Sequence, residues 1–164
     1  VVAFGMAPAL VVFSWALQSL GNLGWVAAFV YVAAGALRLA RFNVQLELVD
    51  KRYFIGLPIP AAAGVMAGMV WVGYDFGVQG RDYALLVALL VIIIGMLMVS
   101  NFSYYSFKEV DFKGKVPSIT LLAIVLIFAL VSLQPPVVLW LIFSLFALSG
   151  PVAYAWSLIK KIIV

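Results

Sequence analysis

Long apolar runs separated by short polar or charged stretches dominate this chain. A helix needs ~20 mainly apolar residues to cross a bilayer, and on that measure the pattern predicts six spans. The first covers Val1 to about Gln18, with Gly5 and Pro8 placed to loosen or kink it. After the turn Ser19–Asn22, a second runs from about Leu23 to Asn43. The charged connection Val44–Ile55 leads to a third, from Pro58 to about Tyr74. Proline at a helix entrance lacks only a donor that would be unused there. Asp75–Asp82 turns the chain into a fourth span, Tyr83 to about Asn101. A second charged connection, Phe102–Lys115, precedes the fifth, about Val116 to Leu133. Gln134-Pro135-Pro136 then turns into the sixth, about Val137 to Leu158.

These runs are apolar all round, whereas barrel strands alternate apolar and polar residues. Backbone groups in lipid must pair within their own segment, which selects helices. The expected fold is therefore an all-α, polytopic membrane bundle forming one transmembrane domain, 1–164. Alternating spans gather Arg38, Arg41, Lys51, Arg52, Lys108, Lys113, Lys115, Lys160 and Lys161 on one side and leave Arg81 on the other. By the positive-inside rule the first side, including the C-terminus, is expected to be cytoplasmic at a cell membrane. Trp25, Tyr74, Tyr83, Tyr104 and Tyr105 fall near the predicted interfaces, as an aromatic belt would.

Composition narrows the chemistry. Of 164 residues, 67% are hydrophobic and 10% charged, against about 25% charged in soluble domains. The absence of cysteine and histidine excludes disulfides, thiolate catalysis and imidazole metal sites. A net charge of +4 does not point to nucleic acid, because the basic residues sit in short connections rather than a stripe. All six acids lie in loops, so no span offers a carboxylate pair for a metal, a general base or a proton relay. No catalytic residue and no metal ligand is assigned within the chain. It starts inside an apolar segment, with neither a basic leader nor a start methionine. The expectation is a piece whose upstream part is missing.

Candidate binding residues lie at the cytoplasmic edge. Arg38 and Arg41, three apart, share a helix face and offer planar donor forks for phosphate or carboxylate oxygens. Both could instead be anchors that snorkel to the headgroups. Arg38, however, lies a turn or more inside the boundary, where an ionisable residue suggests function. Asn43 would join them only if the helix ended there. Pro58, in Gly56-Leu57-Pro58-Ile59-Pro60, opens the third helix at the same face, and a helix N-terminus favours phosphate. On spacing alone, the better reading is that the proline does no more than start the helix. Lys108 falls on the same side, as a further cation or an anchor. Gly64 and Gly68 form a GxxxG pair that fits dimerisation or packing within one chain.

Taken together, Phe4-Gly5-Met6-Ala7-Pro8-Ala9, Leu37 through Asn43, Phe54 through Ala63 and Tyr105-Ser106-Phe107-Lys108 resemble, in order and spacing, the CDP-alcohol phosphatidyltransferase family in its phosphatidylserine synthase branch. The resemblance covers essentially the whole chain. It implies transfer of a phosphatidyl group from CDP-diacylglycerol to L-serine, in the bilayer, by a homodimer. It also implies two divalent ions, Mg2+ or Mn2+, held by aspartates of the signature D-G-x2-A-R-x8-G-x3-D-x3-D. That signature is absent here, and its last aspartate would fall just before Val1. By the same resemblance Arg38, Arg41, Asn43, Pro58 and Lys108 are expected to bind substrate, and the fragment alone to be inactive. Competing readings are a sister enzyme acting on an archaeal-type lipid or a glycerol phosphate or inositol phosphate acceptor, and a transporter or non-catalytic scaffold. A transporter would favour broken, polar helices at mid-membrane, which are scarce here.

Overall fold

The structure, a computed structural model, describes residues 1–45, 53–105 and 118–163. Among these residues it contains six α-helices: α1 (Ala7–Trp15), α2 (Asn22–Gln45), α3 (Ile59–Asp75), α4 (Ala84–Val99), α5 (Ser118–Leu133) and α6 (Pro135–Ile163). A π-helical turn, Val2–Met6, leads into α1, and short 3-10 turns, Leu17–Leu20 and Gly80–Tyr83, precede α2 and α4. The all-α expectation holds. One addition was not expected: β1 (Tyr53–Ile55) and β2 (Ser103–Tyr105) form an antiparallel ribbon, with Tyr53 opposite Tyr105, Phe54 opposite Tyr104 and Ile55 opposite Ser103. Strands this short show no readable alternation, so the sequence placed them in the charged connections.

Three helical stretches are long and apolar enough to cross a membrane among the described residues: Asn22–Val44, Gly80–Val99 and Pro135–Ser157. Helix α1 has 9 residues, α3 17 and α5 16, so helix length alone does not carry the count of six crossings. The first predicted span is divided. Its π turn ends just before Pro8, and α1 stops at Trp15, where Ala16 leaves helical geometry at φ −130°.

Small residues bring the helices together. Gly95 of α4 faces the backbone of Tyr31 and the Ala34 side chain of α2, so these two helices pack closely. Gly64 and Gly68 of α3 lie against Phe143 and Trp140 of α6. The GxxxG pair therefore packs helices within this chain. A Cβ at either position would meet an aromatic side chain, which is why α3 carries glycine there. Around these contacts sits a core of Ala27, Tyr31, Leu57, Ala62, Met66, Val91 and Met98, each almost fully buried. Many outward residues, such as Phe29, Leu85 and Trp156, are large and apolar yet exposed. That distribution suits a lipid surround, since water would not solvate such faces.

The antiparallel order of the helices gives the bundle two ends. Trp15, Gln18, Asp75 and Gly80–Tyr83 share one, where Gly73 and Gly80 both abut the Trp15 ring. The C-terminal end of α2, the start of α3, the end of α4 and the ribbon share the other. Of the expected belt residues, Trp25, Tyr74 and Tyr83 are exposed, as a belt requires, but Tyr104 is completely buried.

Candidate functional site

At the ribbon end, α2 delivers Arg38 and Arg41 to two different partners. Arg38 is only 9% exposed. Its Nη2 donates to the Gly56 carbonyl at 2.9 Å, while its Nε is buried and has no hydrogen-bond partner. A buried guanidinium N–H without a partner costs free energy, so this atom marks a place where an anionic or carbonyl oxygen would be favoured. Arg41 is less buried. Its Nη2 donates to Asn101 Oδ1 at 2.6 Å and its Nη1 to the Val99 carbonyl at 3.3 Å.

Local chemistry explains why these partners lie there. The last carbonyls of a helix lack intrahelical donors and carry its negative dipole end. Arg41 meets that end of α4 through Val99. The Leu97 carbonyl is taken by the Leu57 N–H at 3.0 Å and by the Ser100 hydroxyl at 2.7 Å. Gly56 is the hinge of the arrangement. Its φ of +78° is a conformation suited to glycine, and a Cβ there would run into the Met98 carbonyl. Its N–H donates to the Phe102 carbonyl at 2.8 Å, extending the ribbon's pairing by one more bond. The Gly56 carbonyl is thereby turned toward Arg38.

Pro58 then caps α3 at φ −58° and ψ 134°, with Pro60 in its first turn. The two stretches singled out in the sequence, Ala36–Asn43 and Phe54–Pro60, are thus joined through Arg38 and Gly56. Asn43 is not brought in. Helix α2 continues through Gln45, so Asn43 lies two residues past Arg41 on the far side of a 3.6-residue turn, and it is exposed. Lys108 lies outside the described residues.

Three participants were missed in the sequence: the Gly56 carbonyl, Asn101 and Tyr104. Backbone acceptors leave no side-chain signal, although a glycine before Leu-Pro hints at an unusual turn. The Tyr104 hydroxyl donates to the Ala147 carbonyl of α6 at 3.0 Å. Burial pushes its phenol up to about 12, and the neighbouring Arg38 charge opposes that in part.

The described residues do not fit the divalent ions that the resemblance implies. Among the described residues there is no group of three or more His, Cys, Asp or Glu side chains able to hold a metal. Asp75 and Asp82 sit at the opposite end of the bundle from Arg38. What the site can do is hold an oxyanion or carbonyl group beside Arg38 and the α3 entrance.

Comparison with known proteins agrees on one activity. Over 165 aligned residues the chain is 35% identical to a CDP-diacylglycerol–serine O-phosphatidyltransferase of Helicobacter pylori, covering 99% of this chain and 67% of that protein. It is 28% identical over 146 residues to the same-named protein of Mycobacterium leprae, covering 86% and 48%. With that of Methanocaldococcus jannaschii it shares 36% over 104 residues, covering 63% and 44%. No protein-family profile matches the chain.

Proposed function

The chain belongs to the CDP-diacylglycerol–serine O-phosphatidyltransferase family, and on that premise we infer that it forms the substrate-holding part of an enzyme of phospholipid synthesis. The enzyme transfers the phosphatidyl group of CDP-diacylglycerol to the hydroxyl of L-serine, giving phosphatidylserine and CMP. The observation that carries the site assignment is the buried Arg38, with one N–H on the Gly56 carbonyl and its Nε unpaired. An anchoring arginine would extend to the headgroups, whereas this one is turned into the protein.

Arg38 is assigned to a phosphate or carboxylate oxygen of the substrate. A low-dielectric setting strengthens such a contact relative to one in water. Arg41, partly exposed one turn further along, adds positive charge and braces α4. Pro58 sets the start of α3, whose positive dipole end favours the same anion. Asn43 and Lys108 stay as outer candidates for a serine polar group and for added charge. Phosphoryl transfer depends on positioning and on offsetting charge, and these residues address both. The divalent ion expected from the family resemblance, Mg2+ or Mn2+, would be held by aspartates of the family signature, which this chain does not contain.

The proposed arrangement is a single transmembrane domain in a six-pass topology, with the Arg38 end and the C-terminus cytoplasmic. It is supported by the distribution of basic residues, with Arg81 alone at the other end. A homodimer is the assembly the resemblance implies. Measuring CMP release from CDP-diacylglycerol with serine, glycerol phosphate and inositol phosphate tests the acceptor. Release that requires serine supports the proposal, and release independent of serine contradicts it.

A further inference from the structure

Pro151 interrupts helical hydrogen bonding inside α6. Proline has no N–H, so in α-helical register the carbonyl four residues earlier loses its donor. Here that carbonyl belongs to Ala147. It receives a tyrosine hydroxyl instead, from Tyr104 at 3.0 Å; a second tyrosine, Tyr31, donates to the Phe4 carbonyl of the π turn at 3.1 Å. Both tyrosines are 0% exposed. In lipid a freed backbone carbonyl must find another partner, and here it finds a phenol.

The Tyr104 case reaches the candidate site. Gly150, beside Pro151, has no side chain, and a Cβ there would collide with the Tyr104 ring. Gly150 and Pro151 therefore act together: one makes room for the ring and the other leaves a carbonyl for its hydroxyl. Tyr104 also packs on Phe146 with ring centroids 5.6 Å apart, and Phe102 packs on Tyr154 at 5.2 Å. These contacts seat β2 on α6. In turn β2 pairs with β1, Tyr104 opposite Phe54, and the Phe102 carbonyl accepts the Gly56 N–H. Gly56 then presents its carbonyl to Arg38.

We propose that Tyr104 is a positioning residue for Arg38, seated in a socket that Gly150 and Pro151 create in α6. It acts through the ribbon and Gly56 and does not touch substrate. The proposal rests on the reading that Arg38 meets the substrate.

The test uses Tyr104→Phe and Pro151→Ala, singly and combined, with Arg38→Lys alongside, in the full-length protein. Tyr104→Phe should lower the thermal midpoint, because the Ala147 carbonyl is left unpaired. Pro151→Ala supplies a helical N–H to that carbonyl, so in its background the same change should cost little. The kinetic expectation is separate: Tyr104→Phe should raise the KM of the substrate held by Arg38 roughly threefold to tenfold, the range expected for one misplaced hydrogen bond. The double variant should keep that raised KM while recovering the midpoint. A merely structural role would lower the amount of active enzyme and leave KM unchanged. Equal midpoint losses in both backgrounds overturn the socket. An unchanged KM in Tyr104→Phe, with a raised KM in Arg38→Lys, overturns the positioning role and leaves the Arg38 reading intact. If neither variant alters KM, the Arg38 reading fails and the positioning role fails with it.

Discussion

The Arg38 guanidinium and the Gly56 carbonyl, 18 residues apart in sequence, meet at 2.9 Å in the buried part of the bundle. This bond ties the end of α2 to the turn that launches α3. It requires Gly56 to hold φ +78° with its α-carbon close to the Met98 carbonyl.

Gly56→Ala is therefore expected to destabilise the protein by about 1–3 kcal/mol from backbone strain, with a further loss from the collision with Met98. The turn should shift and carry its carbonyl away from Arg38. Thermal midpoints in detergent, measured with substrate KM, check this. A neutral outcome in both would show that the turn does not depend on glycine.

Arg41 and Asn101 form a side-chain pair that can be isolated. A double-mutant cycle of Arg41→Gln and Asn101→Ala should give a coupling of about 0.5–1.5 kcal/mol, as for an ordinary hydrogen bond. The Val99 bond should make Arg41→Gln the costlier single change. Additive losses would mean that the contact contributes nothing to stability.

The buried Tyr104 phenol predicts an alkaline limit. Its folded-state value is raised to about 12, above the value of about 10 expected unfolded. A raised value means that the stabilisation is fully present below pH ~10 and is lost as pH climbs toward the folded value. The thermal midpoint should fall over that window, and Tyr104→Phe should fall less steeply there. Parallel profiles for the two proteins would contradict the assignment.

Sidedness can be measured because the chain has no cysteine. Single cysteines replacing Gln18, Asp82 and Lys160, all exposed, should separate in right-side-out vesicles. An impermeant maleimide is expected to label the first two directly and the third only after permeabilisation. The reverse pattern would invert the topology.

Much of this fold was legible in the sequence because backbone groups in lipid must pair within their own segment, so long all-apolar runs become helices. The positions of Arg38, Arg41 and the Pro58 helix entrance were legible for the same reason. The Arg38–Gly56 bond was not, since an acceptor on the backbone leaves no trace in residue type. Tyr104 was misplaced in the aromatic belt because a tyrosine near an interface reads the same whether it faces lipid or fills a notch. The difference lies in Gly150 and Pro151, more than forty residues away, whose meaning depends on packing. Asn43 needed the helix to stop, and nothing between Asn43 and Gln45 breaks it.

Whether Arg38 holds substrate is tested by steady-state kinetics of Arg38→Lys and Arg38→Ala in the full-length enzyme. CMP release should be followed against both CDP-diacylglycerol and serine, with thermal midpoints to confirm folding. KM should rise for one of the two substrates. The loss of kcat/KM should be about tenfold for lysine, which keeps the charge but not the fork. It should be about a hundredfold or more for alanine, in line with removing a charge-assisted hydrogen bond of up to ~3 kcal/mol. Unchanged KM and turnover in both variants would make Arg38 a structural brace that holds no substrate.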